Sequence, residues 1–319
     1  MNAFVGDDGH LRSGWRFVIY FLAAFAAIVI LFAVIGVAVT LASGPTGAEQ
    51  LLKGRYGILI QGIVLTLGSF LIGWGCVALL EKLRAASLGW ALHVGWWKDL
   101  LIGSILGILT VTIAAVLAGA IGGFKIALSP SMSGAVKSTL ISLGLFVLAA
   151  AGEEGLFRGY GLQTMSRAKL AWLGIVLTSV PFGIVHLGNP SANIWSTSNT
   201  VLAGVWLGLA YMKTRSLWFP LGLHWSWNWT MGALYGIPVS GTTNVTPEPV
   251  MHVTYGGPVW LHGGAYGLEG GLACTIAVLV SCLVIWRVGF LRPSQEMLNA
   301  SPEAYQEPGE WDDPNRSVI

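Results

Sequence analysis

Two adjacent carboxylates, Glu153 and Glu154, stand at the end of a stretch from Leu140 to Ala151 that carries no charge, and Arg158 follows four residues after Glu154. Two imidazoles and an amide occupy comparable surroundings: His186 closes Pro181-Phe182-Gly183-Ile184-Val185, and His224 and Asn228 bracket Trp225-Ser226-Trp227. Ionisable groups in apolar segments are costly and mark function by default. A carboxylate and imidazoles converging in a low-dielectric site can activate water, because burial favours the neutral form of both. In such a site Glu153 takes a proton from water while His186 orients it. His224 and Asn228 donate hydrogen bonds to the oxyanion of a tetrahedral intermediate. That outlines a peptidase with neither a serine nor a cysteine nucleophile: the chain has no Gly-x-Ser-x-Gly elbow, and none of its three cysteines is near a histidine in sequence.

Metal chemistry competes with this reading. No metal is assigned, but Glu153, His186 and His224 are the ligands if a divalent ion such as zinc is present. No His-Glu-x-x-His occurs, so the ligands would come from three separate segments. Taken singly, the residues have plainer explanations. A Glu-Glu pair at a helix end is more often an interfacial charge, and a lone histidine in a span is more often packing. The set, not any one member, points to chemistry. His10, His93, His252 and His262 fall in the N-terminal segment and in loops and are read as having no role at the site.

Spacing indicates which groups share a helix face. Phe182 and His186, His224 and Asn228, and Glu154 and Arg158 are each four apart and lie together on a helix. Glu154 before Arg158 is the favourable order for an ion pair, which lowers the cost of burying both. Glu153 points about 100° away from Glu154.

The elements that must position these groups are membrane helices. The 319 residues are 54% hydrophobic and 10% charged, with a mean hydropathy of +0.69. A soluble domain carries about 25% charged residues. A net charge of +2 is too small to point to nucleic acid. Cys76, Cys274 and Cys282 lie in apolar stretches and read as small fillers. The expected fold is an all-α polytopic membrane helical bundle of about eight transmembrane helices, near 17–41, 58–80, 100–121, 137 through the Glu-Glu motif, 170–187, 200–212, 217–235 and 271–288. The first apolar run is too long for a signal-peptide core and reads as a retained helix. No strong breaker separates Lys137 from Met165, so one long helix is expected through the motif. Pro181 is expected to kink the next. The division is a cytoplasmic N-terminal segment, 1–16; N-terminal transmembrane helices, 17–136; a catalytic core, 137–290; and a polar tail, 291–319, expected to be disordered.

An even number of spans puts both ends on one side. That side receives thirteen of the 17 Lys and Arg, so the expectation is a multi-pass cell-membrane protein with both termini in the cytoplasm. Glu153 and His186 each lie about 16 residues, or roughly 24 Å, from the turn at 167–169 and sit level in an antiparallel hairpin. His224 is only about 9 residues, or roughly 13 Å, past the turn near Arg215, and reaches the same level only if that turn lies deeper. Glycine pairs four apart, such as Gly103/Gly107 and Gly204/Gly208, read as close helix contacts.

Glu153-Glu154-x-x-x-Arg158, Phe182-x-x-x-His186 and His224-x-x-x-Asn228, in that order and each on a predicted span, resemble the three motifs of the CAAX protease and bacteriocin-processing (Abi) family of intramembrane endopeptidases. The resemblance covers about 149–229. It implies an eight-helix intramembrane hydrolase with Glu153 as general base, His186 as its partner, and His224 with Asn228 as the oxyanion site. Glu154, Arg158 and Phe182 are then supporting or substrate-binding groups. The implied partners are a protein or peptide substrate, lipidated or not, and membrane lipids. Members of the family have been described both as metal-dependent and as glutamate enzymes without metal. Two other classes compete with the endopeptidase: a non-proteolytic scaffold or bacteriocin-immunity protein, and a proton-coupled transporter, against which the lack of an internal repeat counts.

Overall fold

The structure, a computed structural model, describes residues 4–6, 9 and 11–302. His10 and the tail beyond residue 302 lie outside the described residues. The helices in chain order are α1 (Ser13–Lys53), α2 (Arg55–Cys76), α3 (Trp96–Gly122), α4 (Met132–Phe157), α5 (Tyr160–Arg167), α6 (Ala171–Val185), α7 (Ile194–Thr214), α8 (Trp218–Trp229), the single turn α9 (Val259–His262), α10 (Leu272–Arg287) and α11 (Gln295–Ala300). Two strands, β1 (Phe124–Leu128) and β2 (Met251–Tyr255), pair antiparallel with Phe124 opposite Tyr255. The molecule is an all-α membrane bundle. Among the described residues, five stretches are long and apolar enough to cross a membrane: 13–52, 56–81, 96–122, 132–167 and 171–188. The other three expected spans are helical too, but α8 and α10 have 12 and 16 residues, and a π-helical turn, Thr230–Leu234, prolongs α8.

The bundle departs from the sequence reading in several places. The loop expected around Pro45 is helix: Gly44 turns the chain at φ +70°, and Pro45 begins a second segment that runs to Lys53. Proline suits a helix start, where its missing N–H is not needed. The long helix expected through the motif is broken after Phe157. Arg158 N and Gly159 N both bond Glu154 O, at 2.8 and 3.0 Å, and Gly159 leaves helical geometry at ψ −121°. A Cβ there would lie 2.2 Å from Gly155 O, so glycine is what lets the chain fold back on its own preceding turn. The sixth span, expected from 200, begins at 194. Asn193 and Ser196 form a capping box (Ser196 N to Asn193 Oδ1 3.1 Å, Asn193 N to Ser196 Oγ 2.9 Å). The first dozen residues of the expected disordered tail are placed, with α11 docked on the bundle and Met297 fully buried.

One end of the bundle is tied by a buried ionic cluster. Glu81, at the end of the second span, accepts Arg16 Nη1 from α1 at 2.6 Å, Arg167 Nη2 from α5 at 2.5 Å and Thr164 Oγ1 at 3.2 Å. Arg167 Nη1 also donates to Ser301 Oγ behind α11, at 3.1 Å. Both described ends of the chain therefore meet at the same end of the bundle. The β1–β2 pair and the glycine-rich 236–271 segment occupy the other.

Within the bundle, α4 packs on α2 and α8, and α8 also packs on α3. The α3–α8 approach depends on small residues: a Cβ at Gly107 would sit 2.5 Å from Leu223 O and 2.2 Å from Ser226 Oγ. A shared hydroxyl, Ser281 Oγ, accepts Thr110 Oγ1 at 3.1 Å and Trp206 Nε1 at 2.9 Å, linking α3, α7 and α10. Large apolar side chains such as Leu41, Leu67, Leu79 and Leu140 are exposed on the outer faces, as lipid contact requires.

Candidate active site

Helix α4 carries the two glutamates to opposite fates. Glu153 keeps 21% of its side-chain surface exposed and lines a cavity of about 720 Å³. Glu154 is fully buried. Its Oε1 accepts Arg158 Nη1 at 3.1 Å and His224 Nδ1 at 2.8 Å. Arg158 is also fully buried; its Nη2 donates to Gly204 O on α7 at 3.2 Å, and its guanidinium lies 4.4 Å from the centre of the Phe182 ring. Neither Glu154 nor Arg158 lines the cavity. They sit behind it, pinning α4 to α7 and α8.

His186, His224 and Asn228 line the same cavity as Glu153, as does Phe182. The hairpin count had placed Glu153 and His186 level, and they share this chamber. His224 had the poorer count. It reaches the site because the α7–α8 turn is folded inward: Ser216 and Leu217 are fully buried, Leu217 N bonds Gly89 O at 2.9 Å, and Trp218 Nε1 bonds Ala91 O at 2.9 Å. Pro181 stands inside α6 and also lines the cavity.

The hydrogen bonds fix the imidazole tautomers. His186 Nδ1 lies 2.7 Å from Phe182 O. A carbonyl only accepts, so Nδ1 carries the hydrogen and Nε2 of the neutral ring is an acceptor. His224 Nδ1 donates to the Glu154 carboxylate, which leaves His224 Nε2 3.7 Å from Glu153 Oε2. The imidazole beside Glu153 is thus that of His224, whereas His186 makes no ion pair or hydrogen bond with either glutamate among the described residues. The link from Glu154 to His224 was not read from the sequence. A carboxylate and a histidine 70 residues apart leave no local pattern. The Asn228 amide makes no hydrogen bond to any described residue and remains available to a ligand.

Among the described residues no group of three His, Cys, Asp or Glu is placed to hold an ion, while the Nδ1 bonds of His186 and His224 leave both Nε2 atoms open to a ligand.

One lining residue had no place in the sequence reading. Glu269 lies in Gly267-Leu268-Glu269-Gly270-Gly271, just before α10, and lines the cavity. Its Oε2 accepts Ser240 N at 2.6 Å and Ser240 Oγ at 2.8 Å, and its Oε1 accepts Trp227 Nε1 at 3.2 Å. Its only sequence signal is a lone charge in an apolar, glycine-rich approach to a span.

The helical bundle thus encloses a carboxylate, two imidazoles and an amide in one cavity. Residues 135–230, which hold all seven motif residues, match the Rce1-like family model, described as type II CAAX prenyl endopeptidase Rce1-like. Over that segment the chain is similar to type II CAAX prenyl endopeptidases. No curated protein and no solved structure matches the chain.

Proposed function

We propose that the protein hydrolyses a peptide bond of a membrane-associated protein or peptide with a water activated by Glu153, without a metal. The observation that carries this is the convergence of Glu153, His186, His224 and Asn228 on one cavity, with Glu154 holding His224 from behind.

In this reading Glu153 takes a proton from water as the oxygen attacks the carbonyl carbon of the scissile bond. His186 Nε2 accepts the water's other hydrogen and orients it. The carbonyl oxygen, now an oxyanion, receives hydrogen bonds from the Asn228 amide and from His224 Nε2–H in the imidazolium form. Glu153 then returns its proton to the departing amine as the C–N bond breaks. Glu154 and Arg158 position His224 and do not touch the substrate, and Phe182 closes the cavity between the two imidazoles. Phe17, Phe21 and Phe25 of α1 also line the chamber, which suits an apolar or lipidated substrate segment. The Lys and Arg bias supports a cell-membrane protein with both termini in the cytoplasm.

The test is comparative peptidomics of cells carrying the wild-type or the Glu153→Gln chain, with cleavage then repeated on the purified proteins. Glu153→Gln lowers the cleavage rate about 10²- to 10⁴-fold, the range for loss of a general base, while insertion and thermal midpoint stay unchanged. Equal cleavage by both forms overturns the assignment of the base. A wild-type protein that yields no cleaved product, but loses a partner on the same substitution, is a scaffold. Substrate-dependent proton flux in proteoliposomes would instead mark a transporter.

A further inference from the structure

The cavity has a second polar pole that the hydrolytic reading leaves without a task. Asn199, Ser240, Thr242 and Glu269 also line it. The Asn199 amide is held by Glu269 O at 2.8 Å and Gly271 O at 3.0 Å, and its Oδ1 accepts Thr275 Oγ1 at 2.6 Å. Glu269 itself is fixed by three donors from two segments, the indole of Trp227 and the N–H and hydroxyl of Ser240. A carboxylate accepts about four hydrogen bonds. Both positions on Oε2 are filled and one on Oε1 is not, and the group borders the chamber. Trp227 lies three residues after His224 and next to Asn228 on α8, so the residue that holds Glu269 shares a helix with the oxyanion groups, and all three border one cavity.

Charge sharpens the point. Among the described residues, the carboxylates Glu153 and Glu269 line the cavity, and no lysine or arginine does. An enclosed low-dielectric chamber strengthens such a field relative to water. With Glu153 committed to water, the open acceptor on Glu269 matches a donor that brings a positive charge.

We infer that Glu269, presented by Ser240 and Trp227, is a specificity subsite that receives a basic side chain of the substrate within the cavity that holds the scissile bond. The inference rests on the endopeptidase reading for the meaning of "scissile", but the binding it asserts is independent of catalysis. A charge-assisted hydrogen bond made in such a site changes affinity about 10- to 100-fold.

The experiment uses the full chain in detergent micelles and a peptide library in which each position in turn is Lys, norleucine or Glu. Binding is measured on Glu153→Gln, so no peptide is consumed, and cleavage is measured on the wild-type enzyme. At one position Lys binds about 10- to 100-fold more tightly than norleucine, and Glu binds least well. Adding Glu269→Gln removes the Lys advantage and leaves norleucine affinity unchanged, while Glu269→Asp keeps part of it. Equal affinity for Lys and norleucine at every position overturns the subsite. So does a Lys advantage that survives Glu269→Gln, or a Glu269→Gln effect of equal size on all peptides. If Glu269→Gln does not fold, a photo-crosslinker beside the favoured lysine reports instead: attachment within 237–242 or 268–271 supports the subsite, and attachment elsewhere overturns it. Lysine-selective binding without any wild-type cleavage sinks the endopeptidase reading alone. Cleavage without charge preference sinks the subsite alone.

Discussion

Glu154 has two donors on a single oxygen, Arg158 Nη1 and His224 Nδ1, and this sharing sets what each substitution does. Arg158 adds a bond to Gly204 O and a stacking contact on Phe182, and the compact ammonium of lysine cannot make all of these contacts at once as the planar guanidinium does. Arg158→Lys therefore destabilises the protein by about 1–3 kcal/mol. Arg158→Met, which strands the carboxylate with His224 alone, costs about 3–5 kcal/mol, the range for breaking a buried pair. Denaturant unfolding in micelles measures both. A second residue-scale prediction belongs to the metal-free mechanism proposed above. Cleavage is unchanged by 1,10-phenanthroline or EDTA at concentrations that strip zinc enzymes, with added zinc giving no stimulation. A chelator that abolishes activity, restored by zinc, would reject the metal-free mechanism.

At the scale of elements, the position of α8 decides the site, because it brings His224 and Asn228 to α4 by packing on α3 at Gly107. Gly107→Val forces α8 away, at about 1–3 kcal/mol of overpacking, and lowers cleavage at least about 10-fold. Gly144→Val, on a face of α4 where a Cβ meets nothing within 4 Å, leaves activity and melting unchanged. Assays of the two purified variants side by side check this. The same elements show what the sequence made legible. Apolar runs marked every long helix, and i, i+4 spacing put Phe182 with His186 and His224 with Asn228, since both signals are local. The start of α7 was hidden because Thr197, Ser198 and Thr200 look polar, yet their hydroxyls bond back to the carbonyls of Asn193, Ile194 and Ser196 within the helix. The break at Gly159 was hidden because one glycine in a helical stretch is ambiguous until its surroundings are known. The β1–β2 pairing, the Glu81 cluster and the setting of Glu269 depend on partners far away in sequence, which no local pattern encodes.

For the whole molecule, the ionic cluster at Glu81 and the β1–β2 pair mark opposite ends of the bundle, so orientation in the membrane reduces to which end faces the cytoplasm. Lys82 and Lys125 are exposed near the two ends. Lys125→Cys reacts with a membrane-impermeant maleimide in intact cells, whereas Lys82→Cys reacts only after permeabilisation. The reverse pattern inverts the topology. The buried pair on α4 also bears on how the protein is made. Glu153, Glu154 and Arg158 leave that segment with an excess of negative charge when both carboxylates are ionised, and the imidazole that shares Glu154 is 70 residues further along the chain. During synthesis α4 reaches the bilayer well before α8 exists. In that interval the carboxylates must be protonated, solvated or sheltered by the insertion machinery, since lipid offers them no partner. Arrival of α8 then completes the charge balance of α4 and the geometry of the cavity in one event. A half-built copy holds an unsatisfied charge in lipid, so a bundle with only part of its cavity assembled is not a stable one.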